Sequence, residues 1–181
     1  QKGKHEWVYD LDITSMYPSI IMSLNISPET KLGKLDSWDV ESFLKGVDKT
    51  YSIKDKNGKE SAKLTTAEFK NFLKDNNVSI STNGVLYTQD RKGLIPTLLE
   101  KWFDDRVQFR KLAKKFADQG DKEKYAYFDR RQYIQKVVLN SLYGVLGLPI
   151  FRFYDLDNAE ATTTTGVELI KYTKRMSNHF Y

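Results

Sequence analysis

The chain reads as an α+β protein: a small antiparallel sheet with helices, from which a long antiparallel two-helix hairpin projects. Three observations lead there. Short β-rich runs separated by turn residues occupy the first half. Two helical stretches of over 20 residues follow, joined only by Asp118-Gln119-Gly120-Asp121. Gly147 and Pro149 then break the second of them.

The elements follow in order. Trp7–Ile13 reads as a buried strand with acidic residues near its end. Pro18 suits the first turn of a helix, where its missing N–H is spare, and that helix runs to Asn25. Residues 31–64 are mixed, with a hairpin turn at Asp55-Lys56-Asn57-Gly58. Thr65 or Thr66 can cap a helix running to about Asn76. Val78–Ser81 and Gly84–Tyr87 read as short strands. The long helices run from about Pro96 to Ala117 and from about Lys122 to Leu146, each roughly 30–37 Å at about 1.5 Å per residue. Their short, helix-breaking link folds one back on the other. Ile150–Tyr154 is expected as a strand returning to the first lobe, and a last helix covers about Ala159 to Phe180.

Composition bounds the function. With 181 residues, 40% of them hydrophobic, the chain can bury one core or two lobes sharing one. It has no cysteine, which excludes disulfides and thiolate metal sites and fits an intracellular protein. His5 and His179 lie near opposite ends, against a His-rich zinc site. No apolar run approaches the roughly 20 residues that span a bilayer. Gln1–Glu6 lacks the apolar stretch of a signal peptide. A cytoplasmic location is expected, that of the host cell if the chain is viral. With Gln1 in place of Met, a chain cut from a longer one is expected.

The net charge is +5, and the cations gather on the hairpin: Lys101, Arg106, Arg110, Lys111, Lys114 and Lys115, then Lys122, Lys124, Arg130, Arg131 and Lys136. Arg106, Arg110 and Lys114 recur at i, i+4, i+8 and share one face. Such a face is either simply solvated or binds a polyanion.

Two segments carry chemistry. In Asp12-Ile13-Thr14-Ser15-Met16-Tyr17-Pro18-Ser19, a carboxylate ends a strand just before a helix. Mg²⁺ takes oxygen ligands and keeps several waters, so one or two carboxylates plus phosphates suffice. The backbone N–H groups of Ser15 to Tyr17 would point towards an anion. The same residues also read as a helix-capping Asp at a strand–helix junction. Asp10 shares the strand face of Asp12, as a second ligand or, on balance, a salt-bridged bystander. In the second segment Lys136, Asn140, Tyr143 and Gly144 lie on one helical stripe. A lysine can neutralise a phosphate, an amide can bond phosphate or sugar, a tyrosine offers a flat face, and a glycine permits close approach. The bland alternative is an amphipathic helix with a polar outer face, which leaves a glycine costing about 1 kcal/mol unexplained.

Together these segments resemble motifs A and B of family B DNA polymerases. Asn25–Thr30, Asn83-Gly84, Asp90–Thr97 and Phe151–Asp155 extend the likeness to the replicative polymerases of T4-like bacteriophages, over most of the chain except about residues 31–80. The resemblance implies a palm part over 1–95 with an insertion at about 31–80, a fingers hairpin over 96–147 and a return to the palm over 148–181. It implies template-directed addition of deoxynucleoside triphosphates (dNTPs) to a primer 3′ end by a two-metal mechanism with Mg²⁺. Asp12 would hold the metals with the Ile13 carbonyl. The Ser15 and Met16 N–H groups would meet the triphosphate, and Tyr17 would lie under the sugar and exclude a 2′-hydroxyl. Arg106, Lys136 and Asn140 would grip the phosphates, with Arg110 a further basic residue. Tyr143 and Gly144 would pack on the nascent base pair. The family's second metal-binding Asp motif, thumb and exonuclease have no counterpart here. The isolated chain is therefore expected to be inactive, completed by the remaining polymerase domains or a second chain. The alternative is a basic helical-hairpin module that binds nucleic acid without catalysis; a reverse transcriptase or RNA polymerase is more distant. Residues 31–80, with Lys45, Lys49, Lys54, Lys56, Lys59 and Lys63, read as a solvated surface insertion rather than a DNA contact.

Overall fold

A computed structural model describes residue 3, residues 12–55 and residues 57–180. Most of the strand expected over Trp7–Ile13, with Asp10 in it, lies outside the described residues, as does Lys56. The described elements are α1 (Met16–Leu24), β1 (Lys31–Asp36), α2 (Val40–Leu44), β2 (Thr50–Lys54), β3 (Glu60–Thr65), α3 (Thr66–Asp75), β4 (Val78–Ile80), β5 (Val85–Thr88), α4 (Leu94–Asp118), α5 (Lys122–Leu146) and α6 (Leu156–Phe180).

The strands form one antiparallel sheet in the order β3-β2-β1-β5-β4. Local chemistry sets its corners. The Asp55 carboxylate accepts from the N–H groups of Asn57 and Lys59, which closes the β2–β3 turn, and Gly58 takes the positive φ that the turn demands. Thr65 and Glu68 form a reciprocal capping box that starts α3. Residues 31–80 supply four of the five strands and wrap a core of Leu35, Tyr51, Ile53 and Phe69 with Leu86 of β5. Lys45, Lys49, Lys59 and Lys63 in that segment are exposed.

A second core lies on the other side of β5. There Val85 and Tyr87 meet Ile20 and Ile21 of α1, Leu99 of α4 and Leu139 of α5. Strand β5 is thus buried on both faces, since consecutive side chains point to opposite sides. Farther out, α4 and α5 pack on each other through aromatic rings. Phe116 and Phe128 lie parallel at 5.5 Å, with Phe109 at 6.3 Å from Phe128. The link turns at Gly120 (φ 74°), and the Asp121 side chain caps α5 by accepting from Lys124 N–H.

Ile150–Tyr154 is not a strand. Phe151 N–H donates to Leu148 and Tyr154 N–H to Phe151, so successive turns satisfy the backbone locally. The alternation of Phe151 and Phe153 imitates a strand period, but the two rings meet edge-to-face with each other and both pack against the second core. Beyond these turns the chain is anchored by charge. Lys31 bonds Asp155 at 2.9 Å and Asp157 at 2.8 Å, and Lys34 bonds Asp157 at 2.8 Å. Among the described residues no helix is long and apolar enough to cross a membrane.

Candidate active site

Helix α1 begins in an unusual way. Ser15 sits in the left-handed region (φ 50°, ψ 48°), which turns the chain sharply into the helix. Its side chain makes no capping bond to the helix. Pro18, three residues in, has no N–H to satisfy. Among the described residues the N–H groups of Met16 and Tyr17 are therefore the donors left over in the first turn, at the positive end of the helix dipole. Asp12 and Ile13 are exposed just before this turn. With Met16 they line a cavity of about 350 Å³ whose other wall is Ile170, Thr173, Lys174, Ser177 and Asn178 of α6.

The two sequence motifs meet above α1. The rings of Tyr17 and Tyr143 lie 4.4 Å apart, tilted by 33°. From α4, Arg106 donates to the Ser15 hydroxyl at 3.4 Å. The Arg106 Nε is buried and has no hydrogen-bond partner among the described residues. Burial, and then the like charge of Arg110, hold this guanidinium below its ordinary pKa. A half-buried cation beside a like charge, with an unused donor, is stabilised by an arriving anion.

The structure thus brings together Ser15, Met16, Tyr17, Arg106 and Tyr143. Arg110, Lys136, Asn140 and Gly144 are exposed on the hairpin, and no hydrogen bond or ion pair among the described residues joins them to α1. A Cβ on Gly144 would meet nothing within 4 Å, so packing does not require that glycine.

Three supports escaped the sequence reading. Gly166 of α6 lies against α1, where a Cβ would come within 3.2 Å of Met16 Cε and 3.3 Å of Tyr17 Cε1. A glycine in mid-helix was the available signal. Ser27 and Glu29 serve as remote caps for α4, whose own cap residue, Gly93, has no side chain: Glu29 accepts from Leu94 N–H and Ser27 from Ile95 N–H. Asn25 ties the same corner, accepting from Gly93 N–H at 2.8 Å and donating to the Thr88 and Arg91 carbonyls. Two of the flanking segments that carry the resemblance, Asn25–Thr30 and Asp90–Thr97, thus seat the hairpin on α1.

As for metal, Asp12 and Ile13 offer a carboxylate and a carbonyl, hard oxygen donors of the kind that magnesium takes. Among the described residues no group of three acidic or histidine side chains gathers to complete a site. The donor chemistry fits, as part of a set.

Comparison with known proteins gives consistent results. The model of the family described as DNA polymerase family B matches residues 2–180. The DNA-directed DNA polymerase of Escherichia phage RB69 is 26% identical over 98% of this chain, and that of Enterobacteria phage T4 is 26% identical over 96%. The DNA polymerase of Paramecium bursaria Chlorella virus NY2A is 32% identical over 91%. The chain spans 22%, 22% and 15% of the lengths of these relatives. Among solved structures, the family B DNA polymerase of the hyperthermophilic archaeon Pyrobaculum calidifontis superposes with a TM-score of 0.57 at 26% identity, covering 89% of this chain and 17% of that one.

Proposed function

Because the chain belongs to DNA polymerase family B, we propose that it is the palm–fingers portion of a DNA-directed DNA polymerase. In this reading it helps add dNTPs to a primer 3′ end, paired to a DNA template, in the cytoplasm of the cell where that DNA is copied. The observation that carries the reading is the meeting of the two motifs at Tyr17 and Tyr143, with Arg106 reaching Ser15 from the hairpin.

Phosphoryl-type transfer is mostly positioning and charge stabilisation. Asp12, with the Ile13 carbonyl, would hold magnesium, which when bound supplies Lewis-acid activation and neutralises phosphate charge. The N–H groups of Ser15 and Met16, where the chain turns into α1, would cradle the triphosphate tail. Arg106, Lys136 and Asn140 grip it from the hairpin, with Arg110 beside them. Tyr17 lies under the sugar and leaves no room for a 2′-hydroxyl. Tyr143 and Gly144 receive the new base pair, and the open space at Gly144 suits that role. A second carboxylate comes from the remaining polymerase domains or from a second chain, so the isolated chain does not extend primers.

The test uses the polymerase that carries this chain. Asp12→Ala is expected to reduce primer extension to background. Tyr17→Ala is expected to retain extension and raise ribonucleotide incorporation. Undiminished extension by Asp12→Ala would overturn the reading. A Tyr17→Ala change confined to stability would favour a hairpin that binds nucleic acid without catalysis.

A further inference from the structure

Beyond the residues already assigned, α4 carries a second group of cations. A cavity of about 320 Å³ on the hairpin is lined by Val107, Arg110, Lys111 and Lys114. The three cations are exposed, and among the described residues none forms an ion pair. Elsewhere exposed helical lysines do find acids: Lys45 pairs with Glu41, Lys124 with Asp121 and Lys171 with Glu168. Asp105 and Asp118 are the acids nearest along α4, and among the described residues neither forms an ion pair with the cluster. Three like charges that share a concavity without a carboxylate repel one another, and a bound anion relieves that repulsion.

Position identifies the anion. Lys114 lies eight residues beyond Arg106, about 12 Å along the axis at 1.5 Å per residue. Side chains standing straight out from these two positions do not meet at one phosphate group. Arg106, Arg110 and Lys114 nonetheless follow one another along a single helix face. The arrangement is a track that leads from the proposed site outwards.

Resting on the polymerase reading above, we propose that Lys111 and Lys114, with Arg110 at the inner edge, form an outer station for a diphosphate group. Its source is either the tail of an arriving dNTP or the pyrophosphate that leaves after addition. The station shortens the diffusive search along the hairpin and adds no chemical step.

The experiment uses the whole polymerase with the double substitution Lys111→Gln and Lys114→Gln, both at exposed helical positions where folding is not at stake. Steady-state primer extension gives the dNTP KM and the inhibition constant of added inorganic pyrophosphate. One or both are expected to rise roughly five- to tenfold, the scale of two exposed charge contacts. A rise in KM alone assigns the station to the arriving nucleotide, and a rise in the inhibition constant alone to the departing pyrophosphate. If neither moves, the proposal falls. It falls equally if the only change is weaker, less salt-dependent primer-template binding, since the cations then serve the nucleic-acid backbone. Asp12→Ala run in parallel separates this failure from that of the polymerase reading, because only the latter predicts loss of extension there.

Discussion

At the scale of single residues, two glycines on facing helices answer to opposite demands. Gly166 is favoured by packing, because a methyl group there would lie 3.3 Å from the Tyr17 ring and oblige that ring, which also meets Tyr143, to shift slightly. Gly166→Ala gains helix propensity and loses fit, so net stability should stay within about 1 kcal/mol of wild type in thermal melts. Incorporation efficiency in the whole polymerase should nonetheless fall on the order of tenfold, since an ångström of misplacement costs about a hundredfold. Gly144 makes the reverse case. Nothing surrounds it, so Gly144→Ala should stabilise the fold by up to about 1 kcal/mol while lowering nucleotide incorporation. A variant that melted higher and polymerised normally would remove Gly144 from the site. Gly144 was visible in the sequence because it interrupts a strong helical pattern within a recognisable motif. Gly166 interrupts one too, but its reason lies on α1, some 150 residues earlier in the chain.

At the scale of elements, local signals were legible and distant ones were not. Helices α3, α4 and α5 begin and end within about two residues of where caps, glycines and prolines placed them, because those signals act on adjacent backbone. Strands β4 and β5 and the β2–β3 turn were equally plain. The error at Ile150–Tyr154 came from reading a period of two where no strand lies alongside. The remote capping of α4 by Ser27 and Glu29 was hidden, because its donors and acceptors are over 60 residues apart. That cap makes the hairpin's seat sensitive to acid. Burial works against the Glu29 charge, but the bonds from Leu94 N–H and Ser27, with Arg91 nearby, outweigh it and bring the carboxyl below its ordinary value. A group whose pKa is lowered on folding contributes stability that is complete above its unfolded value, near 4.5, and lost as pH falls below that. Protection from hydrogen exchange at the first turn of α4, relative to the intrinsic amide rate, should therefore fall below about pH 4.5. Glu29→Gln should show the lower protection already at neutral pH and respond less to acid.

For the whole molecule, the sheet side and the helical side are not two bodies placed in contact. Leu86 belongs to one core, and its neighbours Val85 and Tyr87 belong to the other, all three with no exposed surface. Tyr87 also donates to buried Asn158 at 2.8 Å, which ties α6 to the same strand. Opening either side uncovers β5, so its amides should be among the last to exchange, and melts followed by sheet and by helix signals should coincide. Separate transitions would mean that the cores are independent. The sequence offered the strand but not its double duty: Gly84–Tyr87 is four residues long, and nothing in it tells that both faces are covered.

A party wall has a practical consequence for anyone who would divide the house. No cut through residues 85–88 leaves either side with its own plaster, and a cut on either flank hands the wall to one neighbour and exposes the other. Deletion libraries, split reporters and swaps of the hairpin between relatives should accordingly succeed only where β5 travels with both cores, and give insoluble halves elsewhere.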